Sequence, residues 1–416
     1  MKAYREIYEQ LSGDAAFLWL LWNNAVNQPN FTGSDLAVLE KRVDARLDGL
    51  MTEPEESWEI CVAAMASQQA DEIFAATVLA FRSLDVSKIQ QVIEVGMASP
   101  QGIKGLVSAL GWLPGHLCHS WIKKFLTSKD LNHKYLAVAA CSVRREDPRE
   151  YLTNILQRDD CIAHGKLYAR SLRLIGELKR HDLSAVLPIA MQSKKPDILF
   201  WASWSTLMLG DKSAINNLQP FVLAEGLFQS RAIEIAFRVL PQEISRDWIN
   251  ALAKDPVQVR KVIQATAILG DPYAIDWLVA QMRVPTLTRL AGEAFTTITG
   301  IDLEEHKLAL EELSDLDGHL PDGPSEDPAD DNVEMSEDDR LPFPDVNKIA
   351  AVWQKYQQRF TPGQRYFMGK VIEREHLLAV YASGGQRQRR AAALELSLLQ
   401  PAQFLLNHKA KVVVEQ

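Results

Sequence analysis

The stretch Val262-Ile-Gln-Ala-Thr-Ala-Ile-Leu-Gly-Asp-Pro-Tyr-Ala-Ile-Asp-Trp-Leu-Val-Ala-Gln-Met282 decides the fold. An Ala-rich apolar helix runs up to Leu269. Gly270 then supplies the left-handed residue that a helix C-terminus needs. Asp271 can cap the helix that follows, and Pro272 in its first turn gives up no needed hydrogen bond. Ile275, Leu278, Val279 and Met282 recur at spacings of three and four, the mark of an amphipathic helix. Such a pair cannot bury its apolar face alone, so it needs neighbours of the same kind.

Outward from this stretch the pattern returns. Leu209-Gly210-Asp211 has the same punctuation, followed by Ile215, Leu218, Phe221 and Val222, and Asp147-Pro148 and Asp255-Pro256 are variants of it. First helices end near Leu84, Leu113, Val143, Ile175, Leu209, Val239, Leu269 and Ile298, at intervals of 29 to 34 residues. A period in that range marks a repeat array. The predicted fold is all-α: an α-solenoid of about eight HEAT-like helix pairs over residues 70–313. Residues 1–69 read as an N-terminal helical cap, with Ser34 or Asp35 opening its second helix. Residues 314–345 form an acidic, Pro-rich linker or loop. Residues 346–416 are a C-terminal helical segment that packs back on the solenoid.

Charge is unevenly placed. The 416-residue chain carries a net −9, yet 13 acidic residues and no Lys or Arg lie between Glu311 and Asp339. Without them, 41 acidic residues face 45 basic ones, so the rest of the chain is close to neutral. That leaves little extended positive surface for nucleic acid. Four scattered cysteines make no disulfide framework and point to a reducing compartment. The apolar run Ala15–Leu21 is far shorter than a membrane span, and the mixed-charge opening is unlike a signal peptide, so a cytoplasmic location is expected.

Reactive constellations are few. His116-Leu-Cys118-His119 invites a metal, but no paired ligand spacing accompanies it, and Cys161 with His164 could add ligands only through a tertiary contact. Glu373 and His376 match half of a di-iron motif whose second half is missing. Gly292 to Gly300 is glycine-bounded but lacks the lysine of a phosphate-binding loop and reads as a repeat helix ending at Gly300, with Asp302 opening its partner. No cofactor, metal or catalytic residue is therefore expected. Asp327, Asp330, Asp331, Asn332, Glu334, Glu337, Asp338 and Asp339 offer oxygen ligands without the spacing of a calcium loop; a solvated segment or a partner contact fits them better. Arg387, Arg389 and Arg390, after Ser383-Gly384-Gly385, form the one basic patch, suited to carboxylates or phosphates and expected to pair with the acidic segment. The partner-binding candidates are thus Asp327, Asp330, Asp331, Glu334, Asp338, Asp339, Arg387, Arg389 and Arg390. Of the ten tryptophans, Trp112, Trp121, Trp201 and Trp204 suit the core or an interface.

Several stretches resemble an uncharacterised proteobacterial family of HEAT-like repeat proteins often encoded near type VI secretion genes. They are Leu47-Asp48-Gly49-Leu50, Arg289 to Asp302, Asp331-Asn-Val, Leu341-Pro-Phe-Pro-Asp345, Phe360-Thr-Pro-Gly-Gln-Arg-Tyr366 and Gly385 to Leu396. Phe343 stands where the family pattern has Trp. The resemblance implies a Gram-negative cytoplasmic protein: an accessory, adaptor or immunity factor acting on a secreted effector or toxin, or on a secretion-spike protein. The expected function is therefore a non-enzymatic protein-binding scaffold that engages neither nucleic acid nor membrane. The alternative is a HEAT-like-repeat enzyme or nucleic-acid-binding protein of the DNA glycosylase kind, which requires a basic, aromatic-lined groove and a catalytic Asp.

Overall fold

The computed structural model describes residues 2–310, 338 and 340–411. It is an all-α solenoid. Eight first helices stand where the punctuation puts them: Ala70–Ser83, Pro100–Trp112, Leu131–Arg144, Gly165–Glu177, Pro196–Met208, Gln229–Val239, Val259–Leu269 and Thr288–Thr299. Each packs on the next, making a continuous inner row. Gly210, Gly270 and Gly300 adopt φ of 95°, 71° and 68°. Asp211, Asp255 and Asp271 each accept a hydrogen bond from the backbone N–H two residues on. Gly270 has a second reason to lack a side chain, since a Cβ there would sit 2.2 Å from the Tyr366 carbonyl.

The second helices are less regular. Val86–Gly96, Gly115–Thr127, Glu150–Gln157 and Gln242–Leu252 are α-helical. Elsewhere a 3-10 turn comes first, as in His181–Val186 before Leu187–Ala190 and Lys212–Leu218 before Gln219–Leu223. Pro188 and Pro220 explain this. A proline has no N–H to give an ongoing helix, so the α-helix restarts with the proline in its first turn.

The eighth pair departs from expectation. No helix begins at Asp302. Its side chain accepts from the Glu304 and Glu305 N–H groups, and residues 303–307 form turns. Val346–Tyr356 takes the place of the partner, packing on Ile275–Gln281 and setting Trp353 edge-on against Phe295 at 6.5 Å. Between them, Ala309 bridges Pro344, Leu310 N–H donates to the Phe343 carbonyl and Asp345 N–H to the Leu308 carbonyl. The acidic segment therefore leaves and rejoins the array at one place.

The N-terminal cap is three helices, Lys2–Ala25, Gly33–Leu50 and Pro54–Met65. Thr32, rather than Ser34 or Asp35, caps the second of these, in a reciprocal box with Asp35. Trp19 stacks on Phe74 at 5.0 Å, which joins cap to array. Beyond the solenoid comes a short antiparallel hairpin, Tyr366–Phe367 with Lys370–Val371, whose turn residues Met368 and Gly369 both have positive φ. Its Tyr366, Met368 and Gly369 N–H groups donate to the Gly270, Thr297 and Ile298 carbonyls, satisfying helix C-termini. Arg365, just before it, donates to the Arg238, Ile268 and Leu269 carbonyls. The last two helices, Arg374–Ser383 and Gln386–Leu399, pack on each other, and the final one lies on Pro196–Met208 and Gln229–Val239.

At its tightest crossings the inner row admits little bulk. A Cβ on Gly176 would lie 2.6 Å from the Ser205 hydroxyl and 2.8 Å from both the Ser205 Cα and the Trp204 ring. Gly176→Ala should therefore force the Gly165–Glu177 and Pro196–Met208 helices apart and lower stability by about 1–3 kcal/mol, read from urea unfolding midpoints at unchanged slope.

Candidate functional site

The inner row, the N-terminal cap and residues 386–411 line a partly open cavity of about 160 Å³. Residues 400–411 cross it as a strap. The Leu405 N–H donates to the Glu177 carbonyl, Arg145 Nε to the Leu405 carbonyl at 3.0 Å, and His181 meets the Pro401 carbonyl at 3.0 Å. Gln386, at the start of the last helix, donates through its backbone N–H to Phe31 in the cap, while its side chain reaches the His408 carbonyl. At the far end Lys411 pairs with Asp44 and lies over the Trp112 ring at 4.8 Å.

The lining is strongly basic. Lys104, Arg145, Arg170, Arg173 and Arg231 come from the inner row or its turns. Arg390, Lys409 and Lys411 come from the last helix and the strap. Against these eight cations stand two carboxylates, Glu177 and Glu234. Trp22, Trp112 and Trp204 complete the walls. In a cleft with low-dielectric sides such an excess focuses a positive potential.

Both carboxylates are committed. Glu177 is 1% exposed and meets Arg145 at 3.0 Å and Arg173 at 2.9 Å, with Ser142 donating to it. Burial alone would push its carboxyl up, but Arg145, Arg173 and Arg170 outweigh that and hold it below the usual carboxylate range. Glu234 pairs with Arg390 at 2.7 Å, and its carboxyl is likewise lowered against burial by Arg390, Arg231 and Arg238. Among the described residues no aspartate lines the cavity. The Cys61 and Cys141 thiols are pushed up to about 11 and about 12 by burial, far from a thiolate nucleophile.

The residues singled out from sequence fall in several places. Arg390 lines the cavity. Arg387 pairs with Glu293 at 2.8 Å, on the eighth first helix, while Arg389 donates to the Tyr381 carbonyl and Gln386 and lies over the Tyr381 ring. Among the described residues the carboxylates that meet Arg387 and Arg390 belong to the array; the acidic segment with which the sequence reading pairs them lies almost wholly outside those residues. Asp338 pairs with Arg260 at 2.8 Å, and its carbonyl accepts from Arg289. Asp327, Asp330, Asp331, Glu334 and Asp339, with Asn332 and Glu337, lie outside the described residues.

The histidine and cysteine motifs have structural roles. His119 pairs with Glu146 at 2.9 Å, the Cys118 thiol donates to the Pro114 carbonyl, His164 caps the Leu167 N–H, and His376 meets the Phe367 carbonyl at 2.7 Å. Among the described residues no group of three or more His, Cys, Asp or Glu could hold a metal ion, and no helix is long and apolar enough to cross a membrane.

Comparison with known proteins finds no matching family model, no matching curated protein and no matching solved structure. The site therefore has to be read from its own chemistry.

Two measurements probe its electrostatics. Glu177→Gln leaves Arg145 and Arg173 without their shared carboxylate and should cost about 3–5 kcal/mol in unfolding free energy, the range for breaking a buried pair. Lys179, buried just beyond Glu177, donates to the Met208 and Ser397 carbonyls, fastening the last helix to the row. Burial lowers its ammonium from 10.5 to about 7. Below pH 7 the lysine is protonated in both states and the folded state bears the burial cost; between about 7 and 10.4 the unfolded chain binds more protons, so stability rises with pH. The stability of the native chain relative to Lys179→Met should grow from pH 7 to pH 10, and a flat difference would contradict this assignment.

Proposed function

We propose that this chain is a non-enzymatic protein-binding scaffold. In keeping with the family it resembles, its role is that of an accessory, adaptor or immunity protein acting on a type VI secretion effector or spike component. One observation carries the reading: the groove beneath the strap is rich in groups that bind and poor in groups that react. Among the described residues its carboxylates are Glu177 and Glu234, both held ionised by arginines, and none of its lining is a cysteine or aspartate. A stacked helical array also offers the extended surface that repeat proteins use to hold partners. The acidic loop, anchored by Asp338 on Arg260, is the partner contact assigned on charge grounds, suited to a basic cleft.

The tryptophans and the basic lining give the nucleic-acid reading its one specific support. Against it, the strap spans the groove and occupies the space a duplex would need.

Affinity capture of the full chain from its native host, with mass spectrometry, should return a specific secreted effector or spike protein, and removal of residues 311–337 should weaken that capture. Recovery of no specific protein under several conditions would sink the proposal. Salt-sensitive binding of a labelled DNA duplex to the same preparation would favour the alternative instead.

A further inference from the structure

The chain beyond residue 364 returns along the inner row and serves its carbonyl ends in reverse order. Met368 and Gly369 donate to the eighth first helix, and Arg365 to the seventh and sixth. The strap continues the series, with the Leu405 N–H on the Glu177 carbonyl of the fourth and Asn407 Nδ2 on the Val143 carbonyl of the third. Lys411 then enters a socket made by Asp44 of the cap, Arg82 of the first helix of the row and Trp112 of the second. Asp44 Oδ1 accepts from Trp112 Nε1 at 2.9 Å and from Arg82 at 3.3 Å, and Oδ2 takes the Lys411 ammonium. Trp112 and Arg82 hold that carboxylate without help from the strap.

Two independent observations mark the strap as the exchangeable part of this path. None of residues 400–411 is fully buried, and Phe404 is 46% exposed, so little apolar area holds the strap down. Its fit is also incomplete. Asn23 lines the groove and is 9% exposed, yet its Nδ2 is buried with no hydrogen-bond partner among the described residues, and so is Nε2 of His408 in the strap itself. Unmatched buried polar nitrogens count against the seated state. A segment that offered Asn23 an acceptor would sit better than the strap does.

We propose that the strap is an autoinhibitory pseudo-ligand, occupying a groove that receives an extended segment of a partner protein with an amide side chain and, four residues on, a lysine. The strap is held mostly by its main chain. Its Leu405 N–H and its Pro401, Leu405 and His408 carbonyls are met by Glu177, His181, Arg145 and Gln386. Main-chain contacts of this kind give affinity to many sequences, and specificity then falls to the Asn407 and Lys411 positions. The same groups select against nucleic acid. The Glu177 and Val143 carbonyls take N–H donors, which a phosphodiester backbone lacks, and the Asp44 carboxylate repels phosphate. The natural occupant rests on the scaffold reading, but strap exchange is measurable without that partner, so the two can fail separately.

The probe is a fluorescently labelled peptide of residues 400–411, titrated into the full chain and followed by anisotropy. A strap tethered beside its own groove acts at an effective concentration on the order of millimolar, so the native chain should bind the peptide weakly. Leu405→Pro removes the N–H given to Glu177, and Lys411→Glu makes the socket contact repulsive. Each should tighten peptide binding about ten-fold or more, because apparent affinity follows the fraction of open groove. Lys254→Ala, on the exposed surface, leaves it unchanged. Alanine in place of both Asn407 and Lys411 in the peptide should weaken its binding to the two opened variants by about ten-fold. Circular dichroism checks that both variants fold, and Lys411→Glu, at a partly exposed side chain, decides the matter if Leu405→Pro does not. Equal affinity for the native and opened chains, no binding to any of them, indifference to the two alanines, or displacement of the peptide by a DNA duplex overturns the proposal.

Discussion

The carboxylate of Glu395 holds the molecule together at its most crowded point. It is carried by the last helix, is 5% exposed, and meets Arg238 at 3.2 Å and Arg365 at 2.7 Å. Arg238 belongs to the sixth first helix, and Arg365 caps the carbonyl ends of the sixth and seventh. One buried charge thus ties the C-terminal segment to both the side and the ends of the inner row. With that helix in its seat the fifth and sixth first helices gain a cover, and a first helix that is apolar all round, Pro196–Met208, becomes possible. The strap and the cavity beneath it follow from the same seating.

The repeats were legible because their punctuation is local chemistry. Gly270-Asp271-Pro272 states a stop, a cap and a restart within three residues, and the first helices end within about two residues of where such signals place them. The second helices were harder to read, because Pro188 and Pro220 break them into short pieces too brief for a helical period to emerge. The missing helix after Asp302 has a different cause. Its site is taken by Val346–Tyr356, and no local signal announces a substitution made from more than 40 residues away. The hairpin at Tyr366–Val371 has two residues in each strand, too few for an alternation to show.

The groove was the least legible part, and the reason is geometric. Lys104, Arg170, Arg173 and Arg231 come from three first helices, each at a position where a basic residue reads as an ordinary solvated face. Only stacking brings them together, and only the returning strap buries them. A chain whose acidic segment is set aside is nearly neutral, and that average conceals a lining rich in basic side chains around one cavity. The Arg387-to-Arg390 patch was visible as a cluster, but its partners were not. Glu234 and Glu293 lie on two different repeats, at separations of 156 and 94 residues.

The pairing of Ala309 with Pro344 carries a consequence of another kind. Because the chain departs and returns across a single bridge, the length of whatever lies between is nearly free of the architecture around it. Loop closure entropy grows only with the logarithm of length. Residues there can be gained, lost or exchanged while the eighth layer keeps its packing. The solenoid can thus stay fixed while its most charged segment changes in length and composition.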